Sequence, residues 1–218
     1  MNSKIIKDIE DILVSIIFNY EEQFIFKEIM KKFESYCNNC ENVSGMKGDL
    51  FEHFSYLYLK RYNEIETVWL YKDIPIEIKN KLNLTTMDYG IDLIGLDKHG
   101  NYYAVQSKYR KRENYKTEIS WRKLSTFYAM ANKSGPFVKH IVISTTDSIV
   151  NVGKKMEKEV FIGYQELSKI NLDGWMKIAN LNQKNYKLNG ERTENIEDIR
   201  KKRIKYFSKK KKRLIFDA

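Results

Sequence analysis

Apolar residues recur at helical spacing from the start of the chain. Ile5, Ile6, Ile9, Leu13, Ile16 and Ile17 mark one face of a helix over residues 3–19. Ile25, Ile29, Met30 and Phe33 mark a second helix over about residues 22–36. After the break CNNCENVSGMKG, the segment DLFEHFSYLYLKRY places Leu50, Phe51, Phe54, Leu57 and Leu59 on a wide apolar helical face. The period then shortens. ETVWLYKDI reads as a strand ending near Pro75, and YGIDLIGLD and NYYAVQSKYR read as a hairpin turning at Gly100 in KHGN. EISWRKLSTFYAMAN predicts a helix stopped by KSGP, and HIVIST (His140 to Thr145) a strand apolar enough to be buried on both faces. NVGKKMEKE reads as helical, VFIGY as a strand and QELSKI as a short helix. From about Asn171 the strand signal fades, and ENIEDIRKKRIKYFSKKKKRLIFDA reads as a helix, a basic turn and a final apolar strand start.

The order helix, strand, strand, strand, helix, strand, helix, strand predicts an α/β fold. Its mixed sheet opens with an antiparallel hairpin and continues through helical crossovers. Three segments are expected: N-terminal helices over 1–45, a core over 46–170, and a basic extension over 171–218. A length of 218 residues suffices for one well-buried domain with an appendage. Only 2 Pro and 10 Gly leave little material for flexible linkers.

Charge points to an anionic partner. The net charge is +10, and Arg200 to Arg213 contains ten cations and no acid. A second basic run, KYRKR, spans Lys108 to Arg112. Nucleic acid leads among such partners, because phosphate neutralisation is the largest sequence-independent binding term. A solvated basic face is the plainer alternative. Asp8, Glu10 and Asp11 break any signal-type core, and no apolar run approaches the roughly 20 residues a bilayer needs. No membrane partner is expected, and an intracellular location is: the cytoplasm, for a bacterium or a cytoplasmic DNA virus. No G-x-x-x-x-G-K-[ST] phosphate loop occurs, so this chain alone is not expected to be an ATPase. Cys37 and Cys40 have a zinc-like spacing but too few companions, and read as ordinary thiols.

Polar residues interrupt the hairpin where a buried strand should have none. Alternation puts Ala104, Gln106 and Lys108 on one face and Val105 and Ser107 on the other. Asp92, on the preceding strand, reaches the Gln106/Lys108 end if the register permits. Phosphodiester hydrolysis needs oxygen ligands for a hard divalent cation, a positioned water, and a cation for the developing charge. Asp92 and the Gln106 oxygen suit the first role, Lys108 the others, and Glu52 on the third helix is the best further carboxylate. Each has a structural alternative. Asp92 could pair with Lys108 or Arg110, Gln106 could be an edge-strand amide, and Asp49 with Glu52 has capping-box spacing. Thr145 and Thr146, after the HIVIS strand, could touch a phosphate or simply form the turn.

GIDLIG and YYAVQSK, preceded by a helix bearing Glu52, resemble the active-site pattern of the PD-(D/E)XK nuclease superfamily, and most of all its Mrr-like restriction endonuclease branch. The similarity covers roughly residues 46–168. It implies an αβββαβ restriction-endonuclease-like core, preceded here by two N-terminal helices. It also implies a metal-dependent DNA endonuclease using magnesium or manganese. Asp92, Gln106, Glu52 and the Ser107 carbonyl would be metal ligands and Lys108 the catalytic lysine. Tyr109, Arg110, Lys111, Arg112, Thr145 and Thr146 would face nucleic acid. Gln106 departs from the superfamily's usual acid, which leaves a binding-only domain as the alternative; a junction- or RNA-cleaving nuclease is a third. The segment from Arg192 resembles the lead-in to a superfamily 2 helicase motor, so a helicase in the same native polypeptide is expected. Cleavage of both strands would need a homodimer or two successive nicks.

Overall fold

The computed structural model describes residues 2–38, 42–63, 65–111, 118–150 and 157–181, with short pieces at 186–188, 191–194 and 201. Three helices come first: α1 (Asn2–Asn19), α2 (Ile25–Cys37) and α3 (Val43–Arg61). Then follow β1 (Thr67–Leu70), α4 (Ile76–Lys81), β2 (Leu93–Leu96) and β3 (Tyr102–Lys108). After β4 (Glu118–Ser120) come α5 (Ser125–Lys133), β5 (Lys139–Ser144) and β6 (Ser148–Val150). β7 (Glu159–Ile162), α6 (Tyr164–Ser168) and α7 (Leu172–Ile178) complete the core.

The main sheet has the order β1-β2-β3-β5-β7. Its first three strands form an antiparallel meander, while β3–β5 and β5–β7 pair in parallel. This is the mixed α/β arrangement of a restriction-endonuclease-like core, with α3, β1, β2, β3, α5 and β5 as the αβββαβ unit. β5 is buried on both faces. Ile141 and Ile143 point to one apolar cluster and Val142 to the other.

On the first face, Leu93 and Val105 join the buried sides of α1, α2, α3 and α7. Phe54 lies at its centre, against the rings of Phe26, Phe33, Phe51 and Trp175. Arg61 ties three helices together: one guanidinium nitrogen reaches Glu10 on α1 at 2.7 Å, another the carbonyl of Ile178 on α7 at 2.7 Å. On the second face, Ile94, Ala104 and Val142 pack on Leu124, Phe127 and Tyr128 around α5.

Several elements differ from the sequence reading. α3 starts at Val43, with Asn42 as its cap: the Asn42 side chain accepts from the Gly45 N–H at 3.0 Å. Asp49 and Glu52 are therefore in the helix interior, and the capping-box alternative for Glu52 falls. The predicted helix at 118 begins instead as β4 and a 3-10 turn at Trp121–Lys123, because Glu118–Ser120 pairs with β6 in a small parallel sheet. α4 and α7 had no counterpart in the reading, nor did a short hairpin joining Tyr186–Leu188 to Glu191–Glu194. Cys37 is buried in the core. Cys40, the expected helix at 151–159 for most of its length, and the basic tail beyond Lys201 lie outside the described residues. Among the described residues no helix is long and apolar enough to cross a membrane.

The position of the cap yields a direct test. Asn42→Ala should cost about 1 kcal/mol in chemical denaturation, the usual loss for an N-cap amide, whereas Asp49→Ala should cost nothing comparable.

Candidate active site

The antiparallel register sets Leu93 opposite Val105. One step beyond, where β2 has not yet begun, Asp92 comes level with Gln106. Its backbone is held on both sides: the Asp92 N–H donates to Val105 O at 2.9 Å, and its carbonyl accepts from the Tyr71 N–H at 2.8 Å. The side chain turns onto β3. Asp92 Oδ2 accepts from the Ser107 N–H at 2.7 Å and from the Gln106 amide nitrogen. Half-buried Asp92 and Gln106, which is only 3% exposed, thus form one unit at the end of the sheet's inner strands.

α3 supplies the opposite wall. The Ser55 hydroxyl donates to Phe51 O at 2.8 Å and lies 3.0 Å from the Ser107 hydroxyl, entirely within the core. That contact pins α3 to β3 one helical turn from Glu52. Glu52 stands near enough to Asp92, Asp49 and Asp88 for all three to disfavour its charge.

Both carboxyls are displaced upward. Burial first, then Asp92, Asp49 and Asp88, push Glu52 up to about 8, with Lys72 opposing. Burial, with help from Asp88, pushes Asp92 up to about 7 against the pull of the Ser107 N–H, Lys108 and the Gln106 amide. Burial also raises Asp88, which is opposed by hydrogen bonds from the Gly90 and Ile91 amides and by Lys108. Lys108, the last residue of β3, therefore faces the acidic cluster. Its carbonyl accepts from the Ser144 hydroxyl at 2.9 Å, fixing that strand end to β5.

Asp88 was not singled out from the sequence, although it sits four residues before Asp92. Its Oδ1 accepts from the Gly90 N–H at 2.6 Å. Gly90 has φ +100, and a Cβ there would sit 3.2 Å from the Phe127 backbone nitrogen. The turn needs glycine on both counts, and it folds Asp88 back beside the sheet end.

The other expected residues divide. The Tyr109 hydroxyl donates to Glu34 on α2 at 2.9 Å, and its ring meets Phe51, so it is engaged with the helical layer. The Thr145 hydroxyl clasps the backbone of Arg110, accepting from its N–H and donating to its carbonyl, both at 2.8 Å. Thr146 is buried with its hydroxyl 3.0 Å from that of Ser144. Both threonines are turn-builders here; what they offer is the placement of Arg110. Arg110 and Lys111 continue outward from Lys108, and Arg112 lies outside the described residues.

Among the described residues no three His, Cys, Asp or Glu side chains make a ready metal cluster. The oxygen donors at hand are the Glu52 and Asp92 carboxylates, the Ser107 carbonyl and the Gln106 amide, whose oxygen a half-turn of the side chain would present.

A mixed five-stranded sheet with a buried acid on one hairpin strand and Q-x-K on the next defines a restriction-endonuclease-like domain. A restriction endonuclease family, the Mrr catalytic type, matches residues 60–187. The chain belongs to that family. The matched span contains Asp92, Gln106, Ser107 and Lys108 and excludes Glu52. No curated protein matches the chain. Among solved structures it is similar to the ATP-dependent Type ISP restriction-modification enzyme LlaBIII bound to DNA, at 22% identity and a TM-score of 0.43. That similarity covers 64% of this chain but only 8% of the other, so the chain spans less than a tenth of that protein's length.

The raised carboxyls couple stability to pH. In the folded protein Glu52 and Asp92 hold protons that the unfolded chain releases near pH 4. Their contribution is full below that value and is lost as pH rises through about 7 and about 8. In EDTA, the thermal stability of the wild type should therefore fall from pH 5 to pH 8.5, and Glu52→Gln should flatten that slope.

Proposed function

We propose that this domain is a metal-dependent DNA endonuclease that hydrolyses phosphodiester bonds. The observation that carries the reading is the Asp92 carboxylate, fixed by Gln106 and the Ser107 N–H, with Glu52 opposite and Lys108 beside it. Family membership supports a nuclease; the residue roles, the metal and the DNA substrate are our inference.

The donor chemistry fits a hard divalent cation, magnesium or manganese. Burial first, and neighbouring acids second, disfavour the charge on Glu52 and Asp92, and a cation shared between them would stabilise it. Asp92 and Glu52 would supply its charged ligands, with the Gln106 oxygen and the Ser107 carbonyl as neutral ones. Such an ion polarises a phosphoryl oxygen and acidifies a bound water. The chain's own residues do the rest. Lys108 orients the attacking water or holds the charge that builds on the phosphate. The buried Asp92–Ser107 hydrogen bond keeps the ligand from swinging away as charge moves.

A DNA-binding module without useful catalysis is the second reading. It is favoured by one observation, the amide at Gln106 where a carboxylate would strengthen metal binding. In either case the basic segment from Arg200 would lead towards a helicase motor in the native polypeptide.

With plasmid or linear DNA and manganese, Lys108→Ala and Asp92→Asn should each lower cleavage at least about 100-fold while leaving DNA binding in place. Cleavage equal to that of the wild type would remove the assigned site. Wild-type binding without cleavage would favour the second reading.

Gln106→Glu should act in opposite directions. It should lower thermal stability in EDTA, by adding a like charge beside Asp92, and lower the manganese concentration needed for half-maximal stabilisation.

A further inference from the structure

A groove of about 480 Å³ opens beside the candidate site, between the start of α3 and the outgoing end of β3. Its lining includes Ser44, Lys47 and Gly48 from the helix and Lys108, Arg110 and Lys111 from the strand side. Four cations line it and no carboxylate does. Lys108 lines the groove and also acts on Asp88 and Asp92, so the groove lies beside that cluster. Among the described residues Lys47 takes part in no ion pair.

Gly48 adds a separate observation. Glycine inside a helix costs about 1 kcal/mol relative to alanine, and such a cost normally has a packing or capping reason. Gly45 has one, because a Cβ there would run into the Asn42 cap at 2.5 Å. Gly48 has none: a Cβ would meet nothing within 4 Å. The helix is bare where the groove passes it. A bare backbone against a cationic channel suits the close approach of an anionic chain.

We infer that this groove receives a backbone phosphate of the bound DNA strand, next to the phosphate that lies at the acidic cluster, with Lys47 and Arg110 as its contacts and Gly48 as the clearance. The inference rests on the nuclease reading above and adds to it a path: the strand passes from the carboxylates towards the start of α3. Thr145 acts here at one remove, as a positioning residue that holds the Arg110 backbone.

The test measures duplex binding by fluorescence anisotropy across a salt series, with calcium in place of manganese. Lys47→Ala should weaken binding roughly fivefold for every sequence and reduce the slope of log K against log salt by about 1. Gly48→Ala should weaken binding slightly and Gly48→Gln more, as each fills the clearance, although Gly48→Ala should melt slightly higher. A dumbbell duplex closed at both ends should bind as well as an open one. If Lys47→Ala and Gly48→Gln keep wild-type affinity and slope while Lys108→Ala still abolishes cleavage, the groove assignment is wrong and the nuclease reading stands. If the wild type binds open duplex but not the dumbbell, the groove holds a terminal phosphate and the backbone assignment fails. A wild type that neither binds nor cuts DNA removes both.

Discussion

A half-buried carboxylate at the end of a sheet's inner strands has to be held, and how Asp92 is held organises the molecule around it. An isolated ionised acid in such a place would carry a desolvation cost of several kcal/mol. Asp92 offsets part of it with the Ser107 N–H and the Gln106 amide. Those donors are in position only because β2 and β3 keep one register, with Leu93 facing Val105. Slipping that register by a single residue would turn the donors to the opposite face. The apolar packing of Leu93 and Val105 against the helical layer thus fixes the polar site at the end of the same strands.

The helical layer contributes more than a cover. Ser55 reaches Ser107 from one turn along α3 from Glu52, so docking the helix and presenting its acid are one event. Phe54, between those two residues in sequence, fills the aromatic centre of the core. Apolar burial places the helix, and the hydroxyl contact sets its sliding position. Asp92 and Glu52 then face each other in a state that neither would choose alone. The result is a local excess of negative charge, ringed by Lys72, Lys108 and the cations beyond β3.

Much of this was legible in the residues. The apolar spacing located α1, the body of α2, the hairpin and β5, because each buries a regular face against a neighbour. Asp92, Gln106 and Lys108 stood out because polar groups on such strands lack an inexpensive structural reason. Other features were hidden for physical causes. The start of α3 was obscured by Gly45 and Gly48, which look like loop residues but serve a cap and an open groove. That same disguise made Asp49 and Glu52 resemble a helix start. α4 has few buried contacts to give it a pattern, and β4 and β6 are three-residue strands paired across a long stretch of chain. The hydroxyls of Thr145 and Thr146 face inward through a turn that no local rule specifies. Asp88 joins the cluster only through the glycine turn that follows it.

β3 has a further property that follows from its place in the sheet. Its residues 103–105 are hydrogen-bonded along both edges, to β2 on one side and β5 on the other, while residues 106–108 pair with β5 alone. Strands enclosed in this way open only when the whole domain does, whereas edges and short helices fray at far smaller cost. The amides of Tyr103, Ala104 and Val105 should therefore be among the last in the protein to exchange with deuterium. The peripheral pieces, β4 with β6 and the short α4, can loosen without disturbing them. The fold separates a yielding rim from a rigid spine that leads straight into the candidate site.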